Sequence, residues 1–452
     1  MTNHRDPIED WLSRDVEVMA PPPGSFQRVR RRARRRKAMQ AASAAAGVAV
    51  IVAAGISVPV LTGNLFAGTG PARVRTGAPT AGTHTPPRPS ATSRPTPSAS
   101  HRSFPGPALA DAGHGQAAPP GFRPVSVTFV GNRGGYLGAV LGQAPCRGHT
   151  CTAMAGTATY GRAWTGVGAP PAGPSAVSQV RFADPANGWA YGPALWATHD
   201  GGKTWRSIGT HGGYVLDLAA VGNHAFAVIG HGGAGCGASS TALCNRFTLM
   251  SAAVTSDTWA PVPSGSGSGH EVAGGLQLTP RGGYLLAGGR LYAGPLTAGA
   301  WRAVPAAASG TPSCPTSPGA DDVRLIAPGR GTLYLACGSV AGSRNLSLYA
   351  SGDGGRTWQA RGSGPVTAGA ATSLAVSPGG TLVLATTTGL YYSSAAGSWR
   401  KAAGGSANDV AFRYIGMTTA KLGVAVPANP APGDLFVTTD GGRTWQARPI
   451  SR

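Results

Sequence analysis

The chain has 452 residues, and its 70 glycines and 38 prolines mark many turns while charged side chains make up only 12%. That length holds a domain of a few hundred residues plus appendages. The formal net charge of +21 points first to an anionic partner, but nearly all the cations are arginines (Lys stands only at 37, 203, 401 and 421) and much of the excess sits in one N-terminal run. A GC-rich coding bias accounts for such a balance, so nucleic-acid binding is set aside.

Residues 1–37 form a polar arm. Ile8, Trp11 and Leu12 follow the spacing of a short amphipathic helix, with Asp15 the polar exception and Pro21-Pro22-Pro23 as the stop. The stretch 6–19 reads either as an unstructured tail or as a docking motif for a cytoplasmic protein. Arg28 to Lys37 is a dense basic run. It abuts Ala38 to Leu61, an apolar stretch without a charged side chain that is long enough to span a bilayer. Basic residues before a span hold the N-terminus in the cytoplasm and contact anionic lipid head groups. The reading is a single-pass signal anchor over 38–61 in the cell membrane. A cleaved signal peptide is the alternative, against which stand the long polar n-region and the want of a small-x-small cleavage site.

Residues 62–120 are expected to be a linker. Thr76 to Ser103 is dense in Thr, Pro, Ser and Arg. Such a segment lacks the apolar residues of a core and stays extended. A Ser/Thr/Pro stalk holds a domain away from the membrane and can carry O-linked sugars.

From Gly121 the chain repeats itself. Ser351-Gly352-Asp353-Gly354-Gly355-Arg356-Thr357-Trp358 recurs around Asp200, Gly202 and Trp205 and around Asp440, Gly442 and Trp445. Asp-Gly-Gly supplies a side-chain acceptor followed by residues that tolerate positive φ, which is hairpin-turn chemistry. The Trp then opens the next strand and buries a large ring. A structural turn staple is therefore the role expected of the octapeptide. Tryptophans at 164, 205, 259, 301, 358, 399 and 445 are spaced from 41 residues (Trp164 to Trp205) to 57 (Trp301 to Trp358). That is the period of a four-stranded blade. Alternating strand pairs precede each Trp, among them Gln179–Phe182 with Gly188–Tyr191, and Asp409–Phe412 with Lys421–Val426. Seven such units predict an all-β, seven-bladed β-propeller over 121–452, closed so that no long sheet edge is left open. Six or eight blades follow if an end unit is composite.

The octapeptide resembles the Asp box of the bacterial neuraminidase (BNR) repeat of sialidase-type propellers. That resemblance implies boxes on the hairpin between the outer strands of a blade, away from the active face. The domain is also similar to the propellers of the photosystem II assembly and stability factor family. This implies a non-catalytic module that binds protein partners. The arm, the span, the stalk and the cysteines depart from that family.

The six cysteines all lie beyond the span, an even number that suggests disulfides outside the cytoplasm. Local pairs are expected: Cys146–Cys151, Cys236–Cys244 and Cys314–Cys337. Without Cys-x-x-Cys, and with scattered histidines, no metal site is expected, and no cofactor.

Resemblance to sialidases would imply an Arg triad, a Tyr nucleophile paired with a Glu, and an Asp acid/base. The repeat domain has one Glu, Glu271, and three of its few Asp residues are committed to boxes. Glycoside hydrolysis asks for two acids across one cleft, and Glu271 with Asp217, Asp321 or Asp409 is not brought together by spacing. The expected function is a membrane-anchored, non-catalytic module binding a protein or a cell-surface glycan through its loops, with Arg133, His231 and Arg344 as guesses at rim contacts. A transmembrane anti-sigma-like regulator docking through 6–19 and a divergent glycosidase are the alternatives.

Overall fold

The computed structural model of the chain describes residues 106–451, apart from 134, 234–235, 237–243, 269–274, 298, 306–322, 329–330, 338–345, 366–368, 395–397, 405–409 and 430–433. The arm, the 38–61 stretch and the first part of the expected linker lie outside the described residues. Among those described, no helix is long and apolar enough to cross a membrane.

Twenty-eight described strands form seven four-stranded antiparallel sheets, each built from strands consecutive in the chain. Blade 1 comprises β1 (Arg123–Asn132), β2 (Gly135–Cys146), β3 (His149–Thr157) and β4 (Thr165–Val167). Blade 2 comprises β5 (Gln179–Phe182), β6 (Gly188–Tyr191), β7 (Leu195–Thr198) and β8 (Arg206–Ile208). Blade 3 comprises β9 (Tyr214–Val221), β10 (His224–His231), β11 (Arg246–Ala253) and β12 (Ala260–Ser268). Blade 4 comprises β13 (Gly275–Thr279), β14 (Gly282–Ala287), β15 (Arg290–Gly294) and β16 (Arg302–Ala303). Blade 5 comprises β17 (Val323–Ile326), β18 (Leu333–Cys337), β19 (Ser347–Ser351) and β20 (Gln359–Ser363). Blade 6 comprises β21 (Ala371–Val376), β22 (Leu382–Thr386), β23 (Gly389–Ser393) and β24 (Arg400–Lys401). Blade 7 comprises β25 (Phe412–Met417), β26 (Gly423–Pro427), β27 (Phe436–Thr438) and β28 (Gln446–Ala447). The seven-bladed propeller expected from the repeat is the observed fold.

Position within a blade dictates composition. The second strands β6, β18, β22 and β26 are buried at every residue, because both of their faces meet a neighbouring blade. They accordingly read as continuous apolar runs rather than as alternating ones. The fourth strands β16, β20, β24 and β28 are exposed at every residue and carry Arg, Gln, Lys and Ser. Between blades the core divides into apolar layers. One joins Val127, Phe129 and Val140 of blade 1 to Leu422, Val424 and Val437 of blade 7, and this layer closes the ring.

Polar side chains on the inner strands, and Tyr191 on β6, tie six of the seven neighbouring blade pairs together. Ser126 Oγ accepts from Val180 N at 3.1 Å. Tyr191 Oη donates to Leu218 O at 3.4 Å. Asp217 Oδ2 accepts from Leu276 N at 2.9 Å, and Gln277 Oε1 from Ala327 N at 3.4 Å. Ser373 Oγ accepts from Ile415 N at 3.2 Å. Arg413 Nη2 donates to Pro124 O and so links the last blade to the first. Each contact gives a partner to a main-chain group that would otherwise lose hydration inside the ring.

Two expectations are corrected. Residues 106–120, counted with the linker, belong to the propeller. A 3₁₀ turn at Leu109–Asp111 buries Leu109 completely, and Ala112 and Ala118 are also buried. Gly166 N donates to Gln116 O at 2.8 Å, Gly168 N to Pro107 O at 3.2 Å and Leu109 N to Gly201 O at 2.7 Å. The segment thus runs along the outer edge of blade 1 and reaches blade 2. It does so because Leu109 and Ala112 offer apolar anchors that the Thr/Pro/Ser stretch before them lacks. The inner strand of blade 7 begins at Phe412 and runs to Met417, rather than ending at Phe412 as expected, since Phe412 and Ile415 are side chains that reach the core; Asp409 lies outside the described residues.

Candidate functional site

The three full octapeptides form the turns between the third and fourth strands of blades 2, 5 and 7, at the outer part of each blade. In blade 5 the Asp353 carboxylate accepts from Ser351 Oγ at 2.8 Å, Arg356 N at 3.0 Å, Thr357 N at 3.0 Å and Thr357 Oγ1 at 2.6 Å. Gly355 N donates to Ser351 Oγ at 2.8 Å. Asp200 and Asp440 make the same kind of turn. Gly201 and Gly202 adopt φ of 73° and 95°, which side chains with a Cβ resist. The hydrogen bonds from Thr357 and Ser351 hold the Asp353 carboxyl well below the usual carboxylate range. Burial opposes ionisation at Asp200 and Asp440, but hydrogen bonds from the flanking threonines outweigh it and lower both. Blade 1 makes the turn without a carboxylate: Thr159 Oγ1 accepts from Ala163 N at 2.8 Å and Thr157 Oγ1 from Gly161 N at 3.1 Å.

The tryptophan that follows each turn docks on the preceding blade. Trp205 Nε1 donates to Gly168 O at 3.0 Å, just past β4. Trp399 Nε1 donates to Ser363 O at 2.9 Å at the end of β20. Trp301 N donates to Pro263 O at 3.1 Å and Trp445 N to Ala403 O at 3.0 Å. Trp259 meets Trp189 of blade 2 edge-on, with ring centroids 6.3 Å apart. The octapeptide residues therefore hold blades together.

Disulfides join Cys146 to Cys151 and Cys236 to Cys244. Cys337 is also disulfide-bonded, and Cys314 lies outside the described residues. His149 lies beside the first pair, but both sulfurs there are consumed by the disulfide.

Near the ring centre, Arg181 of β5, Tyr191 of β6, Asp217 of β9 and Tyr414 of β25 form an electrostatic cluster. Burial opposes the charge of Arg181, yet Tyr191, Tyr414 and Asp217 around it hold the guanidinium above its usual value. Burial pushes the Asp217 carboxyl up to about 6, against hydrogen bonds from Leu276 N and Leu218 N and the attraction of Arg181.

Strand length changes sharply between blades 2 and 3. Blade 2 has strands of 4, 4, 4 and 3 residues; blade 3 has strands of 8, 8, 8 and 9. At roughly 3.3 Å per residue the longer sheet extends well past its neighbour and keeps part of one face uncovered. An apolar pocket of about 380 Å³ occupies that place, lined by Ala227, Ile229 and His231 of β10, Thr248 and Met250 of β11, Trp259, and Gly209 to His211 of the β8–β9 connection. Thr210 to Gly213 is a tight turn closed by Gly213 N to Thr210 O at 3.0 Å, with His211 at φ 51° and Gly212 at 77°. Such a turn demands positive φ at both central positions, and a histidine occupies one. Burial, then Arg246 and His211, lower the pKa of His231.

Of the rim residues named from sequence, His231 lines this pocket, Arg133 sits in the β1–β2 turn, and Arg344 lies outside the described residues, as do Glu271, Asp321 and Asp409. His211 and Arg246 carried no sequence signal, since only the strand-length step brings them to one place.

No family model matches the chain, and no curated protein does. Similar solved structures include YCF48 from Cyanidioschyzon merolae, 14% identical over 60% of this chain and 85% of that one with a TM-score of 0.41. Sqt1 of Saccharomyces cerevisiae is 9% identical over 77% and 88%, with a TM-score of 0.44. A GH74 xyloglucanase from Xanthomonas campestris is 16% identical over 68% and 62%, with a TM-score of 0.29.

Proposed function

We propose that the chain is a membrane-tethered, extracytoplasmic propeller that binds a protein or glycan partner and catalyses no reaction. The observation that carries this reading is where all its described carboxylates but Asp434 are spent. Asp200, Asp353 and Asp440 hold turns. Asp184 accepts from Ala186 N and Asn187 N at 2.8 and 2.9 Å. Asp257 pairs with His199 at 2.9 Å and Arg206 at 3.2 Å, and Asp111 with Lys203 at 3.5 Å. Asp217 accepts two backbone N–H groups. Hydrolysis of a glycoside asks for two carboxyl groups flanking one bond, whereas these groups serve as structural acceptors. The 38–61 stretch supplies the tether, and the pocket between blades 2 and 3 is the candidate binding site.

The test uses the full-length protein. Photo-crosslinking in cells through a reactive side chain at position 248 is expected to capture one defined extracytoplasmic protein or glycan, and sialosides and aryl glycosides are expected to remain intact. Turnover of any of these substrates that is lost with a single Asp or Glu substitution would overturn the reading.

A further inference from the structure

The pocket has an apolar floor and basic side chains about its mouth. Ile229 and Met250 line its interior. In the β10–β11 ladder His231 stands opposite Arg246, and Arg246, Thr248 and Met250 alternate onto one face of β11. Thr248 and Met250 are lining residues, so Arg246 continues the same row at the mouth. The turn at His211 and Gly212 brings a second histidine to that mouth. No carboxylate is among the described lining residues. The charges of Arg246 and of His211 both oppose protonation of His231. An anion set among them relieves that repulsion and accepts charge-assisted hydrogen bonds. The volume lies at the small end of the range for small-molecule sites.

We propose that this pocket binds a compact organic acid, an aryl or branched-alkyl carboxylate, with its apolar body on Ile229 and Met250 and its carboxylate between Arg246 and His231. The inference rests on the reading of the propeller as a binding module and names the ligand class of its pocket. Its failure is separable from failure of that reading, because crosslinked capture of a macromolecule and calorimetry of a small acid report on different contacts.

The experiment is calorimetric titration of the full-length protein in lipid nanodiscs with 3-phenylpropionate and with its uncharged amide. The acid is expected to bind at least about tenfold more tightly than the amide, the size of one charge-assisted contact. Arg246→Gln is expected to erase that preference while leaving amide binding in place. Thr248→Trp, which fills the pocket, is expected to abolish binding of both. Equal affinities for acid and amide would overturn the proposal, as would silence of both at about 10 mM, well above the range of useful affinities. Acid binding that survives Thr248→Trp would overturn the location. If that variant does not fold, the comparison of acid with amide in the wild type and in Arg246→Gln still decides.

Discussion

A single carboxylate in each full octapeptide gathers three donors at Asp200 and four at Asp353 and Asp440. At Asp440 these are Thr438 Oγ1, Arg443 N, Thr444 N and Thr444 Oγ1. Asp440→Ala strands the two main-chain donors and is expected to lower stability by about 1–2 kcal/mol, the range for loss of a capping acceptor, read as a lower denaturation midpoint. The same carboxylates impose a pH dependence. Their folded pKa values lie below the unfolded value, so their contribution is complete above about pH 4 and is lost as pH falls further. Asp217 acts with the opposite sign. Its folded value of about 6 exceeds the unfolded one, so its contribution is complete below about pH 4 and is lost as pH rises from there through about 6. Denaturant midpoints are therefore expected to rise from neutral pH toward about 5 and to fall below about 4, and Asp217→Asn is expected to remove the rise. The sequence made the boxes legible because one residue order encodes a whole turn. Asp217 looked like any other carboxylate, because its burial comes from two neighbouring blades.

At the scale of the element, the tryptophan before each fourth strand is the joint between blades. Trp301 is fully buried and its ring lies against Gly283 and Gly294. A Cβ on either glycine would come within 2.3 Å of the indole. Gly294→Ala is thus expected to cost about 1–3 kcal/mol by overpacking, with faster amide exchange in β12 and β16 as the readout. Blades were countable from sequence because all seven of these tryptophans immediately precede the fourth strand. The inner-strand ties were not countable. They rest on a serine, a glutamine or an aspartate at positions where any small polar residue satisfies alternation, and only the ring shows which main-chain group each one meets.

On the scale of the whole molecule, the ring closes without a strand shared between its ends. β25 to β28 are consecutive at the C-terminal side and β1 to β4 at the start. The seam relies on the apolar layer between blades 1 and 7 and on Arg413. Arg413→Ala is expected to raise amide exchange several-fold in β1 and β25 while the middle blades keep their protection, for a local cost of about 1 kcal/mol. The pocket escaped the sequence reading at this same scale. Strand lengths of single blades were partly visible, but a void arises from the difference between neighbours. The edge segment 106–117 has a mechanical meaning. A pull transmitted along the chain from residue 106 must first break Gly168 N–Pro107 O and Leu109 N–Gly201 O. Tension is therefore shared by two blades before it reaches the sheet of the first, and the segment acts as a strain relief for the domain it leads into.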